Sequence, residues 1–254
     1  MSNSPLRTAV TLACLGVACV SVASGCRPAP PTTTPPPTSS VRVSKTYASP
    51  PPAAAHGSPA TTADGVYGNP EAAAKYWQKQ SLEDNCGLMS VADVVGEVTG
   101  HAPTEEQMIA LAEATPSQTN PGPIYAPRND PGHTNGNGGI EMADEVVLLE
   151  HYGIKSEMTS AEHPEQTGLP ALEQYLADDR KVIAWVNSAV IWDTGDERAK
   201  ADHFLVVTGI DTNTDVVHLN DPGADHPDEQ VKVGTFLAAW HTGEESIVVT
   251  AAGR

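Results

Sequence analysis

From Cys86 onward the apolar residues Leu88, Val91, Val94, Val95 and Val98 recur three and four positions apart, and Gly100 follows. This spacing predicts a helix ended by the glycine, with Cys86 at or near its N-terminus. Helical spacing returns in "IEMADEVVLLEHYG", where Ile140, Ala143, Val146, Val147 and Leu148 can form a buried face, and in the short amphipathic stretch "LPALEQYLADD". The period then shortens. "KVIAWVN" reads as a buried strand with Trp185 in its core, and His203 opens a second run, Phe204 to Val207. Gly209, Asp211 and Asn213 read as a turn, Val216 to Leu219 as the returning strand, and Asp221-Pro222 as its end, which together make an antiparallel hairpin. "QVKVGTFLAAW" passes from strand to helix, and "SIVVTA" supplies a last edge strand. Helices first and an antiparallel sheet after them define an α+β fold.

The first 62 residues or so follow neither period. Residues 1–26 hold one charge, Arg7, then an apolar run too short for a comfortable membrane span, which is the pattern of an export signal. The run closes on "ASGC" and resembles the lipobox of bacterial lipoproteins, with Ala23 where that motif usually has leucine. The resemblance implies a mature chain that starts at a lipidated Cys26, anchored to the outer face of the cytoplasmic membrane. Plain secretion after an ordinary signal cleavage is the alternative. Residues 27–63 are rich in Pro, Thr, Ser and Ala, as expected of an extended tether with too little apolar surface to offset the entropy of ordering it. Residues 64–254 remain as one domain with a sizeable core.

All 32 acidic residues lie in that domain, against ten of the 14 Lys and Arg. Nucleic acid is excluded as a partner, because binding phosphates needs clustered Lys and Arg. The acidity reads first as solubility. A single copy is the expected state.

Cysteine usage narrows the chemistry further. Cys14 and Cys19 leave with the signal and Cys26 is assigned to lipid, so Cys86 has no disulfide partner. A lone thiol in an oxidising compartment is a candidate nucleophile; an inert buried cysteine is the plainer alternative. Amides at a helix N-terminus favour a thiolate, and Gly87 permits close approach by another group. Gln80, six residues upstream, can face a developing oxyanion together with the Cys86 amide. A thiol nucleophile also needs a base. The hairpin brings His203, at the start of one strand, beside Asp221, at the end of the next, so that a carboxylate can orient an imidazole. Asn220 is the rival orienting group, but neighbouring strand residues point to opposite faces, so only one of the two can meet His203.

With Gln80, Cys86-Gly87, His203 in "DHFLVVTGID", Asp221 in "LNDPG" and the later "FLAAW" (Phe236 to Trp240), most of residues 75 to 249 resembles the C39-like branch of papain-type cysteine peptidases. The resemblance implies a papain-like fold, with the nucleophile helix packed on an antiparallel sheet. It also implies Cys86 as nucleophile, His203 as base and then acid, Asp221 as orienting residue and Gln80 as oxyanion donor, with a peptide or protein substrate and no metal or cofactor. The family often has Asp-Cys-Gly, whereas Asn85 separates Asp84 from Cys86 here. Nothing resembles the transporter portions of the bacteriocin-exporting members, so cleavage after a double glycine is not implied.

Two other classes stay open. A peptidoglycan amide hydrolase of the NlpC/P60 kind also pairs an exported cysteine with a histidine strand, although its usual Asp-Cys-Ser-Gly is missing. An inactive papain-like module that binds a peptide needs the fold alone. Transfer of the acyl group to an amine in place of water would use the same residues. His218 reads as structural, "GADHPDEQ" as a solvated loop, and the glycine-rich loop Asn129 to Gly139 as a rim of the cleft or a flexible connection.

Overall fold

The computed structural model describes residues 65–127, 129, 130, 133 and 139–251. The expected export signal, Cys26 and the tether 27–63 lie outside the described residues, as does most of the loop Asn129 to Gly139. A short strand β1 (Val66–Gly68) leads into a helical turn α1 (Pro70–Ala73), extended by a 3-10 turn (Ala74–Tyr76). Three helices follow: α2 (Cys86–Thr99), α3 (Glu105–Ala114) and α4 (Met142–His151). The chain continues through β2 (Ser156–Thr159), α5 (Gly168–Ala177), β3 (Val182–Val186) and the single turn α6 (Ser188–Ile191). It closes with β4 (His203–Asp211), β5 (Val216–Asn220), β6 (Glu229–Lys232), α7 (Val233–His241) and β7 (Ile247–Thr250).

The strands form one antiparallel sheet in the order β2-β7-β3-β4-β5-β6, with β1 also paired to β4. Alternation along each strand feeds two cores. Ile183, Phe204, Val206 and Val248 face α2, α3 and α4, where they meet Leu88, Val91, Val95, Met108, Leu148 and Leu149. Val182, Ala184, Leu205, Val207, Val217 and Val249 face the other way, onto Leu172, Leu176, Phe236 and Trp240 of α5 and α7. The fold is α+β and papain-like, with the helix that starts at Cys86 packed on the sheet.

Helix α2 is the most enclosed of the helices: every residue from Cys86 to Gly96 is buried. It stops at Gly100, whose φ of 82° places it in the left-handed region while its N–H returns to the Gly96 carbonyl. Val98, expected on the buried stripe, is 48% exposed, because the last turn of α2 runs past its neighbours. Helix α3 begins in a capping box, with Thr104 and Gln107 each bonding the other's backbone N–H.

Three further expectations from the pattern change. Gly209 is not in the hairpin turn: β4 runs on to Asp211, and a bulge between Val207 and Gly209 absorbs the irregularity. The turn belongs to residues 212–215, where Asp211 Oδ1 accepts from the N–H groups of Asn213 and Thr214. The last strand, β7, is interior and wholly buried, because the short polar β2 pairs outside it and takes the edge. Trp185 is only partly buried, stacked at 4.3 Å on Phe204 at the margin of the first core.

Candidate active site

The segment before α2 is tied down from several sides. Glu105, in the first turn of α3, accepts from Ser81 N–H, from Ser81 Oγ–H and from Asn85 Nδ2, and Tyr125 donates its hydroxyl to Asp84 Oδ1 at 2.8 Å. This fixes the entry to α2 and therefore the position of Cys86, a free thiol 8% exposed at the first helical residue. Gly87 is required by space. A Cβ there would lie 2.7 Å from Ile140 Cγ1 and 3.0 Å from Glu145 Oε1.

The hairpin register pairs Val206 with Asn220, which carries the start of β4 alongside the residues that follow β5. His203 Nε2 donates to Asp221 Oδ1 at 2.6 Å, and both side chains are buried. Nε2 is thereby taken, and Cys86 lies near enough for its side chain to act on the imidazole. Asp221 also accepts from Gly223 N–H at 2.6 Å and from Trp192 Nε1 at 2.9 Å, while its carbonyl accepts from Trp77 Nε1 at 2.6 Å. Asn220 turns to the opposite side, donating to the Ala73 carbonyl and to Asp93 Oδ2.

Gln80 is held next to this turn by its backbone, since its N–H donates to the Pro222 carbonyl at 2.9 Å. Its side-chain Nε2 donates to the Leu82 carbonyl at 2.7 Å, which engages one of its two hydrogens. His218 lies elsewhere and pairs with Asp228 at 2.7 Å. The structure thus gathers Cys86, His203 and Asp221, with Gln80 at the edge of the group. Among the described residues, no three His, Cys, Asp or Glu are placed to hold a metal ion, and no helix is long and apolar enough to cross a membrane.

Residues 53–246 match the model of the Peptidase_C39 like family. The chain belongs to that family. Proteins of Mycobacterium tuberculosis and Mycobacterium bovis, both named as uncharacterized, are each 43% identical to it over 205 residues, covering 76% of this chain and 88% of the relative. Among solved structures, a putative C39-like peptidase from Bacillus anthracis matches with a TM-score of 0.49 at 17% identity, over 74% of this chain and 98% of the other.

Electrostatics of the C39-like site follow from its burial and its donors. Burial pulls the His203 pKa down, but the charge and hydrogen bond of Asp221, then those of Cys86, outweigh it and hold the imidazole up at about 10. Burial pushes Asp221 the other way, up, yet the imidazolium and the N–H groups of Gly223 and Trp192 keep it below its usual range. The Trp192 ring, 40% exposed, lies 5.0 Å from the His203 ring and covers the pair from solvent. Glu229, with burial as the first cause and the Asp221 charge as the second, is raised to about 7. In this C39-like domain Trp192, Trp77, Glu145 and Glu229 escape sequence reasoning. Trp192 follows a one-turn helix without a motif, and the two glutamates are merely two among 32 acidic residues.

Proposed function

We propose that this C39-like domain is a thiol hydrolase that cleaves a peptide or amide bond with Cys86, His203 and Asp221, aided by Gln80. The observation that carries the reading is the 2.6 Å bond from His203 to Asp221, with the free thiol of Cys86 near enough to act on the same imidazole. Cys86 thiolate attacks the amide carbonyl, and the Cys86 N–H with the second Nε2 hydrogen of Gln80 supports the oxyanion. His203 passes its proton to the leaving amine as the C–N bond breaks, then takes one from the water that hydrolyses the thioester. Asp221 keeps the ring in the orientation this requires. The substrate is a peptide or protein outside the cytoplasm, and the enzyme acts from the membrane surface through lipid on Cys26.

A closed peptide-binding module is the second reading. It draws on the 8% exposure of Cys86 and on the engagement of Gln80 with Leu82. Intact-mass labelling of Cys86 by iodoacetamide across pH, in the wild type and in His203→Ala, separates the two. Fast labelling below pH 7 that collapses in the variant supports the hydrolase. Slow labelling in both, rising only near the ordinary thiol value of about 8.5, favours the module.

A further inference from the structure

Glu145 has no place in that chemistry, yet it stands against the helix turn that carries the thiol. It is fully buried on the face of α4 turned to α2, and neither of its carboxyl oxygens has a hydrogen-bond partner among the described residues. Its Oε1 occupies the space beside Gly87 that a Cβ would need. A buried carboxyl without a donor is costly in its charged form, so such a group is kept neutral or supplied with a partner. None is supplied. Asp144, its neighbour on α4, is occupied by Ser117 Oγ and Gln118 N–H. Asp84, ahead of α2, is held by Tyr125, and β7 presents no charge. Glu157 of β2 is exposed and paired with Arg180. Burial first, and then the charges of Cys86 and Asp144, push the Glu145 pKa well above the carboxylate range.

We propose that Glu145 is a positioning residue for Cys86: a neutral acid beside the sulfur at and below neutral pH, and a buried anion beside it once the pH is high enough to take its proton. The neutral acid leaves the thiolate and the later oxyanion as the negative charges at this end of α2. Loss of its proton sets a buried anion beside both and opposes them. This inference rests on the thiol reading of Cys86 but not on hydrolysis.

The test is the ratio of Cys86 alkylation rates with anionic iodoacetate and neutral iodoacetamide, followed by intact mass from pH 5 to 9. Thiolate fraction and nucleophilicity cancel in that ratio, which leaves the local charge. In the wild type the ratio should fall with rising pH by roughly tenfold, the size of a unit charge acting across a few ångströms of protein. In Glu145→Gln it should stay flat. Matching profiles in the two proteins would overturn the proposal, even if His203→Ala labelling supports the thiolate–imidazolium pair. Should Glu145→Gln fail to fold, infrared difference spectra of the wild type decide. Alkylating Cys86 with iodoacetamide must shift or remove a protonated-carboxyl band, and an unchanged band overturns the proposal.

Discussion

The Asp221 carboxylate accepts three N–H bonds at once, two from side chains and one from the backbone, and this count determines what replacing it does. Oδ1 receives His203 Nε2 and Gly223 N–H, each at 2.6 Å, and Oδ2 receives Trp192 Nε1 at 2.9 Å. Asparagine has one oxygen and one NH₂. With its oxygen kept at the Oδ1 position, Asp221→Asn turns its NH₂ toward the indole N–H, donor against donor. The loss of the buried charge facing His203 costs about 3–5 kcal/mol, and the facing donors lie within that loss. Trp192→Phe alone leaves Oδ2 of a fully buried carboxylate without its donor, a cost of about 1.5–3 kcal/mol for a charge-assisted bond. Together the two substitutions remove the conflict, since phenylalanine has no N–H to oppose the amide. The double variant should therefore be less destabilised than the sum of the singles, by about 1–3 kcal/mol. Loss of indole area occurs in both backgrounds and cancels. The assay is urea unfolding of all four proteins at pH 7, compared at equal m values. Additivity within about 0.5 kcal/mol would refute the hydrogen-bond assignment at Asp221.

Three further outcomes follow from the same structure. His203 has its folded pKa raised to about 10, so its stabilising contribution is full below the unfolded value of about 6.5 and is lost as pH rises through the folded one. The stability gap between wild type and His203→Ala should narrow by a few kcal/mol across that window, read by denaturant titration at each pH. Glu229, raised to about 7, binds its proton more tightly folded than unfolded, so the wild type should lose stability as pH climbs from about 4.3 to 7. Glu229→Gln should make that slope shallower by on the order of 1 kcal/mol once its exposure to solvent is discounted, with the share of other raised carboxyls such as Glu145 left in place; an unchanged slope refutes the assignment. Gly100→Ala should cost about 1 kcal/mol through its positive φ alone, since nothing lies within 4 Å of the added carbon. Gly96→Ala should cost about 1–3 kcal/mol, because its Cβ would meet the Tyr76 ring at 2.8 Å; equal melting temperatures for the two variants would contradict this packing.

What the sequence made legible was short in range. The α2 helix could be read because its apolar spacing and Gly100 are local, and the meeting of His203 with Asp221 could be read because hairpin register carries one strand's start to the other's end. Gly209 misled because a bulge glycine and a turn glycine look alike in sequence, and β7 misled because only its partner β2, some 90 positions away, decides which strand is the edge. Trp77 reaches the Asp221 carbonyl across 144 positions, and no periodicity predicts such a contact.

The same distance separates residue type from charge state at the site. Asp221 and Glu145 are both fully buried carboxyls near the thiol, yet the structure drives them in opposite directions. Asp221 stays ionised because His203, Gly223 and Trp192 converge on it, whereas Glu145 has no donor among the described residues and the Cys86 charge against it. Neither state belongs to the acid itself. Each is set by side chains from other elements, so a string holding 32 acidic residues gives no sign of which one is held as an anion to serve the imidazole and which is held neutral beside the sulfur. The chemistry proposed for Cys86 depends on that difference, because a second anion at Glu145 would act against the thiolate that Asp221, through His203, helps to form.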